Sequence, residues 1–138
     1  MRVLLDANIL LDVLLDRQPW VDDSSRIWQA CDDARIVGYL PASTLTDIFY
    51  VARRTTDVVT AQIALGLCLA AFELCPVDRP TIEAAADLPG GDFEDNVQIA
   101  CAVAAALDAI VTRNPNDFSA SSIPVFTPTA FLAHLNTA

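Results

Sequence analysis

A chain of 138 residues that is 54% hydrophobic, with a mean hydropathy of +0.40, has room for one compact domain with a real core; disorder and a second domain are both disfavoured. No apolar run reaches the ~18 residues of a membrane span, and the opening run is broken by Asp6, Asn8 and Asp12 without a small-residue cleavage site, so it reads as structure in a cytoplasmic protein and not as a signal peptide. The net charge of −10, with arginine as the sole fixed cation and no lysine, argues against binding nucleic acid through the overall field, unless the acids concentrate where divalent cations bind or a basic partner covers them.

In chain order, short apolar runs at 2–6, 36–40, 74–77, 109–112 and 123–127 predict buried strands. Helical patterns occupy 9–15, 23–32, 44–53, 58–72, 81–86, 93–106 and 129–134. Ser43 or Thr44 is a candidate cap for the third helix, Asp57 for the fourth and Asp92 for the sixth. Strands alternating with helices imply a three-layer α/β/α sandwich, a single domain over 1–138 around a parallel sheet of four to five strands. In such sheets ligands bind beyond the carboxyl ends of the strands. Polar residues standing directly after strands are therefore the candidates for a site.

Asp6 ends the first strand, where it serves either as a helix cap or as a group facing a cleft, with Asn8 close enough to support it. Asp12 and Asp16 follow at helical spacing and read as a solvated face. Asp47 lies about one turn into the third helix among the packing positions Leu45, Ile48, Phe49 and Val51, an unusual setting for a carboxylate. Asp92, Glu94 and Asp95 gather at the start of the sixth helix, where carboxylates complement the helix dipole. The apolar body of that helix carries its amino end inward, which brings Asp95 toward Asp6. After the fourth strand, "VTRNPNDF" places Thr112, Asn114 and Asp117 at a strand tip and turn.

Several carboxylates at one sheet edge repel one another and call for protons or a cation. Mg²⁺ or Mn²⁺ suits oxygen ligands. The four cysteines, Cys31, Cys68, Cys75 and Cys101, lack zinc-site spacing and read as buried free thiols; the lone His134 stands near the end of the chain. Arg53, Arg54 and Arg113 are candidates for phosphate contact through paired donors. Haloacid-dehalogenase-like phosphatases and response-regulator receivers also begin with a strand-end aspartate, but both require the lysine that this chain lacks.

The segments "LLDANILLD", "LTDIFYVARR", "DFEDNVQIACA" and "VTRNPNDF", in that order, resemble the PIN-domain nucleases, particularly the VapC-like toxins of bacterial toxin–antitoxin pairs. The resemblance runs through nearly the whole chain. It implies divalent-metal hydrolysis of RNA to a 5′-phosphate and a 3′-hydroxyl, a homodimer, and a cognate antitoxin that inserts into the cleft. Carried over by motif, Asp6, Asp47 and Asp95 are the acidic core, completed by Asn114 or Asp117, with Asn8 and Thr112 supporting those ligands. Two positions depart from the usual pattern. Relatives more often have glutamate at Asp47, whose carboxylate reaches about 1.5 Å less far, and many have aspartate at Asn114. The alternative reading is a catalytically weak PIN-like module that acts by binding RNA or a protein partner.

Overall fold

The structure, a computed structural model, describes residues 1–137. Its centre is built from short runs of Val, Leu and Ile, which need burial on both faces and therefore form a parallel sheet. The strands are β1 (Arg2–Leu5), β2 (Val37–Pro41), β3 (Glu73–Cys75), β4 (Ala109–Val111) and β5 (Val125–Phe126), in spatial order β3-β2-β1-β4-β5 with every pairing parallel. All five lie where the apolar runs predicted them.

The helices are α1 (Ala7–Leu14), α2 (Val21–Asp32), α3 (Ala42–Thr55), α4 (Val58–Ala71), α5 (Arg79–Ala86), α6 (Phe93–Ala104) and α7 (Pro128–Thr137). Alternating strand residues serve two cores. Val3, Leu5, Leu40, Ala109 and Val111 pack with α1–α4 and α7 on one face; Leu4 and Ile110 pack with α5, α6 and Phe118 on the other. The sandwich is thus α/β/α, as the alternation of strands and helices required. Asp57 and Asp78 cap α4 and α5 by accepting the Thr60 and Thr81 amides at 2.7 and 3.2 Å. The third helix departs from expectation: β2 runs directly into α3 through Pro41, and neither Ser43 nor Thr44 caps it.

The sequence of strands reverses direction at β1, which has β2 on one side and β4 on the other. That reversal opens a crevice at the carboxyl ends of β1 and β4. Among the described residues no helix is long and apolar enough to cross a membrane. The cysteines are free thiols, three of them buried and Cys31 half-buried. On the outside of α4, a helix without one charged residue, Val59, Ile63 and Leu67 are exposed.

Gly38 lets β2 approach the helical layer closely. A Cβ there would lie 2.8 Å from Cδ1 of Phe72 and 2.9 Å from Sγ of Cys31, nearer than real carbon contacts allow. Gly38→Ala is therefore expected to lower the unfolding free energy by about 1–3 kcal/mol through overpacking. Urea unfolding checks this as a lower midpoint at unchanged slope; an unchanged midpoint would show that the pocket yields freely.

Candidate metal centre

The crevice is seeded by Asp6, the residue that follows the central strand. Its amide donates to the Val111 carbonyl at 3.0 Å, so the tip of β1 remains stitched to β4. Its side chain makes no helix-capping bond to α1. Instead Oδ2 accepts from the Thr112 hydroxyl at 2.8 Å, and both residues are buried. This settles the cap-or-cleft ambiguity at Asp6 in favour of the cleft. Burial pushes the Asp6 carboxyl above its ordinary range, while Thr112, Gln98, the Ala7 amide and the charge of Arg113 favour its ionised form.

The start of α6 forms the facing wall. Asp92 caps the helix by accepting the Asp95 amide at 3.1 Å, as the sequence predicted. Asp95 and Glu94 in the first turn then point toward Asp6 across a cleft of about 430 Å³, which Asp47 from α3 and Asp117 from the turn at Pro115–Phe118 also line. Six of the chain's 18 acidic residues therefore share one crevice: Asp6, Asp47, Asp92, Glu94, Asp95 and Asp117. The Asp95 carboxyl is pushed up to about 6 by desolvation and by the charges of Asp92, Asp6 and Asp117. Glu94 is raised by desolvation and by the neighbouring carboxylate of Asp47.

Asn8, Asn114, Tyr50 and Arg54 complete the lining. Asn8 does not bond to Asp6 as anticipated; its Oδ1 accepts from Arg17 at 3.4 Å. Asp47 is exposed to the cleft and not enclosed by its apolar neighbours. Arg54 is the one arginine in the lining, whereas Arg53 lies outside it and is exposed. Two expectations require correction. Asp12 is no solvated residue: it is completely buried, because Arg113 and Arg17 provide counter-charges 3.4 and 3.9 Å away. Arg113, a candidate for phosphate contact, points away from the cleft into that ion pair and beneath the ring of Trp20.

Gln98 and Tyr50 had no place in the sequence-based expectation, and Glu94 figured there only in the acidic group at the start of the sixth helix. Gln98 was visible as the one polar residue within the apolar stretch after Asn96. It is 4% exposed, and its Oε1 is buried without a hydrogen-bond partner in the wall of the cleft. An orphaned buried oxygen beside mutually repelling carboxylates is the donor chemistry of a hard cation site. Among the described residues no three acidic, histidine or cysteine side chains are grouped closely enough to hold a metal ion by themselves. Mg²⁺ needs no such group, since it keeps several waters and takes one or two carboxylates. The donor set fits such an ion. A larger apolar cavity of about 550 Å³ lies between α5 and α6, away from these acids.

A parallel α/β/α sandwich with an acidic cleft at its strand switch defines the class of protein. The PIN domain family model matches residues 2–116, and the chain belongs to that family. The fold is shared with solved toxin–antitoxin proteins at low sequence identity. The VapBC2 complex of Rickettsia felis bound to a promoter DNA fragment has 14% identity and a TM-score of 0.72, covering 92% of this chain and 98% of its counterpart. A toxin–antitoxin complex from Klebsiella pneumoniae has 23% identity and a TM-score of 0.67, with coverage of 91% and 97%. The Mycobacterium tuberculosis VapC20 toxin, described as cleaving the sarcin–ricin loop, has 14% identity and a TM-score of 0.64, with coverage of 78% and 86%. No curated protein matches the chain in sequence.

The raised carboxyl groups fix a pH dependence. Asp95, Asp6 and Glu94 hold protons more tightly folded than unfolded, so ionising them opposes folding as pH rises above the ordinary carboxylate range; for Asp95 that loss runs up to about 6. Asp57 and Asp78 are shifted downward by their capping bonds, and their contribution changes only below that window. In chelator, the melting temperature is expected to fall between about pH 4.5 and about pH 7, and Mn²⁺ should restore it at the higher pH far more than at the lower. Calorimetry checks this; equal effects of Mn²⁺ at both pH values would contradict a carboxylate site.

Proposed function

We propose that this PIN-domain protein is a divalent-metal-dependent endoribonuclease, the toxin of a toxin–antitoxin pair acting in the cytoplasm. The observation that carries the reading is the crevice in which six carboxylates and an unpartnered Gln98 oxygen surround the tip of the central strand. Asp6 and Asp95 would hold Mg²⁺ or Mn²⁺ as the core pair, with Asp47, Asp117 and Asn114 completing the ligand set. The bound ion would supply Lewis-acid stabilisation of the phosphodiester and activation of the attacking water.

The chain's own groups do the rest. Thr112 orients Asp6, which lines the cleft, by donating to its Oδ2. Glu94, beside Asp47 in the same cleft, holds its proton more tightly than an ordinary carboxyl group and adds a longer acidic side chain where Asp47 reaches less far. Arg54 faces the same space and is placed to contact a phosphate. The partners proposed are RNA, a second copy of this chain and a cognate antitoxin. The uncharged exposed face of α4 supports a protein partner, since apolar surface of that kind marks interaction sites.

The test is cleavage of RNA by purified protein with Mn²⁺ or Mg²⁺, beside Asp95→Asn. Wild-type protein is expected to cleave only with metal, and the variant to lose on the order of 10²-fold or more in rate. Equal residual activity of the two proteins would instead identify a PIN-like module that works by binding.

A further inference from the structure

Behind the acidic cleft lies a second charge cluster that this chemistry does not use. Asp12, on α1, is fully buried, with Nε of Arg113 3.4 Å from Oδ2 and Nη1 of Arg17 3.9 Å from Oδ1. The Ser24 hydroxyl donates to the same carboxylate at 3.4 Å. Trp20 stacks on Arg113, its ring centroid 3.9 Å from the guanidinium carbon.

This pair is poorly made as a stabilising contact. Asp12 Oδ1 and Arg113 Nε are both buried without a hydrogen-bond partner. A buried ion pair so incompletely bonded gives little stability over apolar side chains of similar volume. Its connections point to another role. Arg113 stands in the chain between Thr112, which donates to Asp6, and Asn114, which lines the cleft. The Asn114 amide donates to the Thr112 hydroxyl oxygen at 3.2 Å, tightening the same turn. On the other side, Arg17 reaches from Asp12 to Asn8, a second residue of the cleft. Asp12 is thus tied to both strand tips that frame the crevice.

We propose that Asp12, Arg113 and Trp20 form a positioning brace that fixes the spacing between the segment after β1 (Asp6, and Asn8 in the first turn of α1) and the segment after β4 (Thr112, Asn114), and so sets the affinity of the cleft for a divalent cation. The inference rests on the metal-site reading above. These three are positioning residues; they act through Asp6, Asn8, Thr112 and Asn114.

The experiment pairs Mn²⁺ titration calorimetry with thermal unfolding of the metal-free protein, for wild type, Asp12→Asn, Arg113→Gln, the double variant and Trp20→Leu. Asp12→Asn leaves Arg113 without its counter-charge, and Arg113→Gln leaves the buried Asp12 with only the longer contact to Arg17, so each lowers the melting temperature. The double variant recovers most of that loss, because the one charge left in the cluster, Arg17, is partly exposed to solvent, yet it binds Mn²⁺ about tenfold or more weakly. A double variant that binds Mn²⁺ like wild type overturns the brace and leaves a merely structural pair. Trp20 is 43% exposed, so Trp20→Leu is compatible with folding even where the charge variants are not. It is expected to weaken Mn²⁺ binding about threefold with little change in melting temperature; wild-type affinity there overturns the proposal equally. Absence of Mn²⁺ binding by the wild-type protein overturns the metal site itself, and is seen before any variant is compared.

Discussion

The hydrogen bond from Thr112 to Asp6 is the contact on which the rest of the site depends. It places a carboxylate at the tip of the central strand, in surroundings that disfavour its charge, and gives that charge a fixed donor. The neighbouring β1–β4 ladder continues through the Asp6 amide, so the sheet and the site share one stretch of backbone. Without this anchor, Asp95, Glu94 and Asp47 would face a flexible acid, and mutual repulsion would move it outward. Held in place, it obliges the other acids to accommodate it by taking up protons or a cation.

This arrangement bears on the chain's net charge of −10. A third of its acidic residues line one crevice, so much of the negative charge is concentrated in one place and not spread over the surface. A single arginine, Arg54, is set among them, and Arg113 is withdrawn into the interior. The cleft by itself therefore repels a polyanion. Its electrostatics change sign only when positive charge is brought in from outside the chain.

The strands were legible because a parallel sheet buried on both faces demands continuous apolar runs, and these stand out at 2–6 and 109–112 in particular. Asp57 and Asp92 were legible as caps because capping is local: donor and acceptor lie three residues apart. Asp6 and Asp95 were legible from their place relative to elements whose boundaries could be read. Asp12 was not. Helical spacing says which residues share a face but not what is packed against that face, and the arginine that makes its burial tolerable lies at the far end of the sequence. Arg113 was misread for the complementary reason, since a strand-end arginine carries no mark of whether it turns toward the cleft or away. Gln98 and Tyr50 acquire meaning only once α3 and α6 are seen to share a wall.

The Thr112–Asp6 bond joins residues 106 positions apart in the chain. A ribosome therefore exposes the first partner long before the second, and until β4 arrives β1 has a free edge on that side and its aspartate lacks the Thr112 hydroxyl. The crevice cannot be assembled piecemeal from the amino-terminal end. The crevice takes its final form only once β4 has been made and has joined β1, so its two walls are set by a late, long-range pairing and not by local folding.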